Sequence, residues 1–110
     1  MNSGQVVLCT CPDEPVAAAI GESLVSEGLA ACVNLVPSLT SIYRWQGKIE
    51  RADEVLLIIK TTRDGYAALE KSLQALHPYD VPEIIALSVE RGLPAYLDWI
   101  ETCVTEPSSG

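Results

Sequence analysis

The stretch His77–Ile84 holds the residues whose types and spacing could do chemistry. It contains the only histidine of the chain, two acidic residues and a tyrosine, and it is interrupted by Pro78 and Pro82. Each proline fixes its own φ and disfavours helical geometry in the residue before it, so the stretch forms a stiff connection. Such a connection can hold the imidazole of His77 and the carboxylate of Glu83 at a set separation, which suits metal binding, proton transfer or a subunit contact. The alternative is a helix-to-strand connection that needs two breaks.

The pair Cys9 and Cys11 forms a second candidate site. On a strand these two thiols point to the same face, and two thiolates on one face could hold a soft ion such as Cu(I). Buried cysteine is also a common small hydrophobe, and the sequence has no second close pair of cysteines to complete a four-ligand zinc site. Structural packing is therefore the preferred interpretation of Cys11, Cys32 and Cys103, while the role of Cys9 stays open.

Two aromatic residues, Tyr43 and Trp45, alternate on a predicted hairpin. Alternating aromatic side chains are typical of sheet cores and of protein interfaces. A platform for a planar ligand is the other interpretation, and a subunit interface is the favoured one.

The composition indicates a small, acidic domain that is rich in apolar residues. The 110 residues correspond to a single domain over residues 1–110, with an ordered core expected at about residues 5–105 and a frayed C-terminal tail. Hydrophobic residues make up 48% of the chain, so part of the apolar surface is expected to face another subunit. The net charge of −8 disfavours nucleic-acid binding. Neither a membrane-spanning run nor an export signal is evident, so we expect a cytoplasmic protein with reduced cysteines.

Hydrophobic periodicity predicts the elements that position these residues. The predicted order is a strand at Val6–Cys11, a helix from Asp13 to Gly28, a strand at Ala31–Trp45 with a bulge at Pro37-Ser38, a turn at Gln46-Gly47, a strand at Val55–Ile59, a helix at Arg63–Leu76, a strand at Glu83–Glu90 and a last helix from Pro94. This order is the split βαβ, or ferredoxin-like, pattern of an α+β domain. Right-handed crossovers would place both main helices on one face of an antiparallel sheet.

The other face of the predicted sheet has no helix from these crossovers to cover it. Val55–Ile59 is apolar at every position, and such a strand is typically covered on both sides. A chain of this size supplies helices for one side, so we expect a second subunit to cover the other.

Eight segments together form a pattern that is specific for one family. They are Leu8–Asp13 without position 11, Gly28–Asn34, Val36-Pro37, Ser41–Ile49, Lys60–Thr62, His77–Tyr79, Val81–Ile84 and Tyr96–Trp99. On these segments the chain resembles the CutA divalent-cation-tolerance family, from Val6 to about Val104. The resemblance implies a ferredoxin-like subunit in a tight homotrimer, similar in build to the PII signalling proteins. It also implies a role in tolerance to copper and other divalent metals and no enzymatic activity.

The resemblance further implies a metal site. In the best-known bacterial member, copper ligands are ascribed to the cysteine of the first strand and to two adjacent histidines before Pro-Tyr. Cys9 matches that cysteine and His77 matches the second histidine, whereas Leu76 occupies the position of the first. Cys11 stands where the family often has alanine and could partly compensate. With Glu83 as a possible oxygen ligand, we expect weak binding of copper or another divalent ion.

The predicted function is a cytoplasmic homotrimer that binds divalent or soft metal ions weakly in metal tolerance. One alternative is a PII-like trimeric sensor that binds a small ligand in the clefts between subunits, but the acidic balance and the lack of a glycine-rich phosphate loop count against it. A third hypothesis is an enzyme with His77, Asp80 and Glu83 as acid–base groups. It ranks last, because ferredoxin-like acylphosphatases need an arginine-bearing loop after the first strand, where this chain has acidic residues.

Overall fold

Four strands and three helices follow one another in the computed structural model, which describes residues 2–104. They are β1 (Gly4–Cys11), α1 (Glu14–Ser26), β2 (Cys32–Trp45), β3 (Lys48–Thr62), α2 (Tyr66–Leu76), β4 (Ile85–Ser88) and α3 (Pro94–Cys103). The strands form one antiparallel sheet in the order β2-β3-β1-β4. The predicted α+β, ferredoxin-like fold is therefore confirmed. The predicted frayed tail at residues 106–110 lies outside the described residues.

Helix α1 begins and ends where the residue types predict. The Asp13 side chain accepts a hydrogen bond from the Val16 amide (2.9 Å), which satisfies one of the free amides of the first turn. At the other end Gly28 has a φ of 73°, and the Leu29 amide donates to the Leu24 carbonyl (2.9 Å). This is the hydrogen-bond pattern of a Schellman motif, which needs a left-handed residue at the glycine position.

The hairpin of β2 and β3 has the predicted turn and the predicted irregularity. Gln46 and Gly47 both have positive φ, at 50° and 79°, as a two-residue hairpin turn requires. The register of β2 on β3 shifts between Val36 and Leu39, and Ser38 lies there with a φ of 63°. The chain therefore bends at the position where Pro37 cannot donate to the ladder.

Strand β3 runs over Lys48–Thr62 rather than the predicted Val55–Ile59, because it pairs with β2 from Lys48 onward and with β1 as far as Thr62. Two other predicted boundaries also differ from the structure. Helix α2 begins at Tyr66 rather than Arg63, because β3 continues through Thr62 and the Thr62 hydroxyl accepts from the Gly65 amide (3.1 Å). Strand β4 is limited to Ile85–Ser88, rather than Glu83–Glu90, and pairs only with β1. None of these differences changes the topology.

The two faces of the sheet differ in how the chain covers them. Alternate residues of β1 and β3 are buried with α1 and α2 in one core: Val7, Cys9, Cys11, Val55, Leu57 and Ile59, with Leu24, Leu69 and Leu73 from the helices. The opposite face is apolar but open, and Val36, Ile85 and Leu87 are exposed there. Helix α3 contacts β1 and β3, and it lies close to the start of β1, since a Cβ placed on Gly4 would lie 3.5 Å from Leu97. No helix among residues 2–104 has the length and apolarity needed to cross a membrane.

Candidate metal centre

Cys9, Cys11 and His77 form a cluster at the end of β1. Their sulfur atoms and a ring nitrogen all lie within 4.8 Å of one another. The two cysteines share a face of β1 because strand residues two apart point the same way. His77 is the C-cap of α2, and its amide donates to the Leu73 carbonyl (3.0 Å). Both cysteines are fully buried and His77 is 7% exposed, so the cluster lies beneath the surface.

Both ring nitrogens of His77 are occupied by backbone groups. Nε2 lies 2.8 Å from the Thr10 carbonyl oxygen, and Nδ1 lies 3.1 Å from the Tyr79 amide nitrogen. A carbonyl can only accept and an amide can only donate, so Nε2 carries the proton and Nδ1 accepts. These contacts assign a neutral imidazole held between the end of β1 and the loop after α2.

Tyr79 connects this cluster to the neighbouring strand β3. Its hydroxyl donates to Oε2 of Glu54 (2.8 Å), and Glu54 is a buried residue. The rings of His77 and Tyr79 lie with their centroids 4.7 Å apart. Burial, together with the Glu54 carboxylate, raises the pKa of Tyr79, so the phenol keeps its proton and remains a donor.

The two thiols of the cluster differ in acidity. A hydrogen bond to Cys11, together with burial, raises the pKa of Cys9, whereas the same hydrogen bond lowers the pKa of Cys11. The negative charges of Glu83 and Glu54 raise the pKa of Cys9 further. The Cys11 thiol is therefore the more acidic of the two.

The structure brings together two of the three predicted metal ligands. Cys9 and His77 lie in the cluster, whereas Glu83 is exposed and outside it, although its charge reaches Cys9. Cys11, for which packing was the preferred interpretation and partial compensation in the metal site the other, is the third member. The signal for Cys11 was present in the C-x-C spacing, but the spacing alone does not reveal an imidazole on the same face.

The predicted interface residues lie at the exposed end of the hairpin. Tyr43 and Trp45 are 44% and 53% exposed, and Ile42 and Ile49 beside them are more exposed still. Large apolar side chains that are exposed together on one element are typical of an interaction surface. The interface role of Tyr43 and Trp45 remains a prediction.

Two surface cavities differ from the cluster in chemistry. One, of about 440 Å³, lies between α1 and β2 and is lined by Ala18, Gly21, Glu22, Val25, Ser26, Val33 and Leu35. The other, of about 360 Å³, is lined by Pro12, Asp13, Glu14, Ser38, Asp53, Glu54 and Val55. Neither lining includes lysine or arginine, and the second is acidic, so neither suits a phosphate-bearing ligand.

Comparison with known families agrees with the fold. The family model for the CutA1 divalent ion tolerance protein matches residues 5–103. This chain belongs to the CutA1 family. The divalent-cation tolerance protein CutA of Thermus thermophilus is 54% identical over 96 residues, which cover 87% of this chain and 93% of that protein. Protein CutA of Mus musculus is 52% identical over 108 residues, and the match covers 98% of this chain but 60% of the mouse protein.

Solved CutA structures share the whole architecture. The structure of the divalent cation tolerance protein Cut A1 from Thermus thermophilus superposes with a TM-score of 0.91 at 51% identity, covering 93% of this chain and 99% of that chain. The CutA of Archaeoglobus fulgidus, described as a periplasmic divalent cation tolerance protein, has a TM-score of 0.89 at 38% identity over 93% of this chain and 99% of its own. The CutA1 fold is thus shared by proteins from distant organisms.

Proposed function

We propose that this CutA-family chain acts in metal-ion tolerance by binding copper or another divalent ion weakly at a site that includes Cys9 and His77. The observation that supports this proposal is the approach of two thiols and an imidazole to within 4.8 Å of one another. Sulfur and imidazole ligands suit copper and zinc, whereas Mg²⁺ and Ca²⁺ prefer oxygen ligands. Glu83 is proposed as an outer oxygen ligand only, because its side chain is exposed.

The weakness of binding follows from the ligands that this chain offers. Leu76, at the end of α2, is exposed and has no ligand atom at the position that the resemblance assigns to a second histidine. His77 must also give up a backbone hydrogen bond before a ring nitrogen can bind an ion. Both features reduce the free energy that binding can release.

Calorimetric titration with copper tests this proposal on the parent and three variants. We expect the copper affinity to fall in Cys9→Ser and in His77→Ala. In Leu76→His the affinity should rise by roughly tenfold, because the new imidazole provides a second nitrogen ligand. Leu76→Gln is the matched control, because it introduces a polar side chain of similar size that is a poor copper ligand. Equal copper affinity in the parent, Cys9→Ser and His77→Ala would contradict the proposed site.

The same proposal includes a homotrimer, in which the open sheet face and the hairpin are covered by other copies. Its support is the exposure of apolar side chains at both edges of this face, Val36 on β2 and Ile85 and Leu87 on β4, together with the exposed hairpin side chains. Light scattering at micromolar concentration tests it, and a folded monomer would contradict it.

A cytoplasmic location is also part of the proposal. The four cysteines are unpaired, and a reducing compartment keeps thiols in the form that binds metal. Because the Archaeoglobus relative is described as periplasmic, cell fractionation is the appropriate test.

We propose no catalytic role for the cluster. A general acid or base needs a ring nitrogen that can reach a substrate, and both nitrogens of His77 contact backbone groups. The acidic lining of the second cavity also argues against a sensor that binds nucleotides or other phosphates.

A further inference from the structure

We propose that Cys9 and Cys11 are the principal ligand pair of this site, that they clamp Cu(I) between two sulfur atoms, and that His77 is a secondary ligand. This inference rests on the proposed function, since it names the ion and the leading ligands of the same cluster. It differs from a site built on Cys9 and His77, in which Cys11 would only fill space.

The two sulfur atoms lie close to the separation that one shared ion requires. Metal–sulfur bonds in proteins are about 2.3 Å long for zinc, so two sulfurs on one ion of similar size are at most about 4.6 Å apart. The ligand atoms of the cluster lie within 4.8 Å of one another. Cys9 and Cys11 pair with Leu57 and Val55 in the central ladder of the sheet, so the backbone that carries both thiols is fixed by β3.

His77 is less available than either thiol. If Nδ1 binds an ion, the Tyr79 amide loses its acceptor. If Nε2 binds, the ring proton must move to Nδ1, where it would face the Tyr79 amide, and the Thr10 carbonyl would lose its donor. Either route breaks at least one buried hydrogen bond, which costs free energy. By contrast, the contact of the Cys9 thiol with the Thr10 carbonyl is long, at 3.8 Å, and the mutual contact of the two thiols is replaced by their bonds to the shared ion.

The surroundings of the pair favour Cu(I) over Zn²⁺. Zinc requires four ligands, and the cluster supplies three protein donors, so a zinc ion would need a water molecule or another ligand in the fourth position. Both cysteines are fully buried in the hydrophobic core that also contains Val55 and Leu57, and Ile84 packs against this core. A soft ion that needs few thiolate ligands fits such a buried site, and thiolates select Cu(I).

Binding is a ligand substitution that transfers no electrons. Two S–H bonds break, two Cu–S bonds form on an ion that arrives as Cu(I), and two protons leave to solvent. The copper remains Cu(I) and both sulfurs remain at the thiolate oxidation level. The reaction therefore needs no oxidant or reductant.

Competition with a coloured Cu(I) chelator under anaerobic, reducing conditions tests the inference on the full chain. Loss of a group that merely supports a metal ligand costs about 10–100-fold in affinity, so loss of a principal ligand should cost more. We expect Cys9→Ser and Cys11→Ser each to lower Cu(I) affinity by more than about 100-fold, and His77→Gln by about tenfold or less. Cys32→Ser is the matched control, because Cys32 is a half-buried thiol outside the cluster, and it should leave the affinity unchanged.

The outcomes separate this inference from the proposed function. If Cys11→Ser binds like the parent while Cys9→Ser and His77→Gln lose affinity, the inference is wrong and the Cys9–His77 site stands. If no variant changes the affinity, both are wrong. If Zn²⁺ displaces Cu(I) at equal concentration, the preference for Cu(I) is wrong.

A measurement on the parent protein tests the inference even if some variants fail to fold. X-ray absorption at the copper edge of the Cu(I)-loaded parent should give a first shell with two sulfur atoms. A shell with one sulfur or with nitrogen alone would overturn the inference, whatever the variants do.

Discussion

Tyr79 holds the loop after α2 through two different contacts. Its amide donates to Nδ1 of His77 (3.1 Å), and its hydroxyl donates to Oε2 of Glu54 (2.8 Å). Glu54 is buried, and a buried carboxylate that loses a hydrogen-bond partner costs free energy. At the scale of single residues, Tyr79 therefore couples the stability of the chain to the orientation of the His77 ring.

Removal of the Tyr79 hydroxyl should destabilise the protein measurably. We expect Tyr79→Phe to lower the free energy of unfolding by about 1–3 kcal/mol, because Glu54 would stay buried without its donor. Tyr66→Phe is the matched control, since the Tyr66 hydroxyl donates to the exposed Glu70 (2.6 Å) and its loss should cost about 0.5 kcal/mol or less. Urea unfolding of the three proteins measures both effects, and equal losses in the two variants would contradict the role of Tyr79.

The pH dependence of this contribution follows from the direction of the Tyr79 pKa shift. Burial and Glu54 raise the pKa of Tyr79 in the folded chain above its ordinary value of about 10. The folded chain then holds the phenol proton more tightly than the unfolded chain does. The contribution is therefore full below about pH 10 and is lost as the pH rises through the folded pKa. The stability difference between the parent and Tyr79→Phe should shrink over that alkaline range.

The candidate site could be predicted only in part from residue types. Cys9 and Cys11 are two positions apart, so strand geometry predicts that their thiols share a face. His77 is far away in sequence, and its approach to Thr10 depends on how α2 packs against the sheet, which no local pattern specifies. The direction in which the Glu83 side chain points depends on the backbone conformation from Pro78 to Pro82, and sequence spacing does not determine that conformation.

The elements illustrate which local signals are strong enough to predict a boundary. Asp13 marks the start of α1, because its side chain accepts a hydrogen bond from the first turn. Gly28 marks its end, because glycine readily adopts the positive φ found there. The start of α2 was misplaced because Thr61 and Thr62 suit a strand end as well as a helix start, and pairing with β1 decides between them. The length of β4 depends on its single partner strand in the same way.

The N-cap of α1 offers a prediction at the scale of one element. Asp13→Ala should lower the free energy of unfolding by about 1 kcal/mol, because the Val16 amide loses its acceptor. Asp13→Ser keeps an oxygen acceptor at the cap and should stay close to the parent. Thermal or urea unfolding measures the difference, and a stability of Asp13→Ala equal to that of Asp13→Ser would contradict the capping role.

For the molecule as a whole, the open sheet face and the hairpin are the surfaces through which we expect copies of the chain to assemble. Trp45 is 53% exposed in the single chain, next to the exposed Tyr43. Sequence patterns predicted this apolar surface from the strand Val55–Ile59, but they do not show the geometry by which other copies would cover it. The order of the strands was predictable, since a split βαβ connectivity allows few arrangements.

Truncation of Trp45 should weaken assembly more than metal binding. We expect Trp45→Ala to destabilise the oligomer by a few kcal/mol, as large aromatic anchors at interfaces do, and to leave copper affinity within error of the parent. Trp45→Phe retains an aromatic side chain and serves as the control. Dilution series by light scattering together with urea unfolding measure the change, and an oligomer of Trp45→Ala as stable as the parent would show that Trp45 is not an anchor.

The complete burial of Cys9 and Cys11 has a kinetic consequence. An ion cannot reach fully buried sulfur atoms through the static structure, so loading and unloading must wait for a local opening of the chain around them. The loop after α2 is the natural place for such an opening, because its hydrogen bonds to His77 and Glu54 are few. The residence time of a bound ion would then be set by how often this loop opens rather than by affinity alone. A chain of this kind could hold a weakly bound ion for a long time.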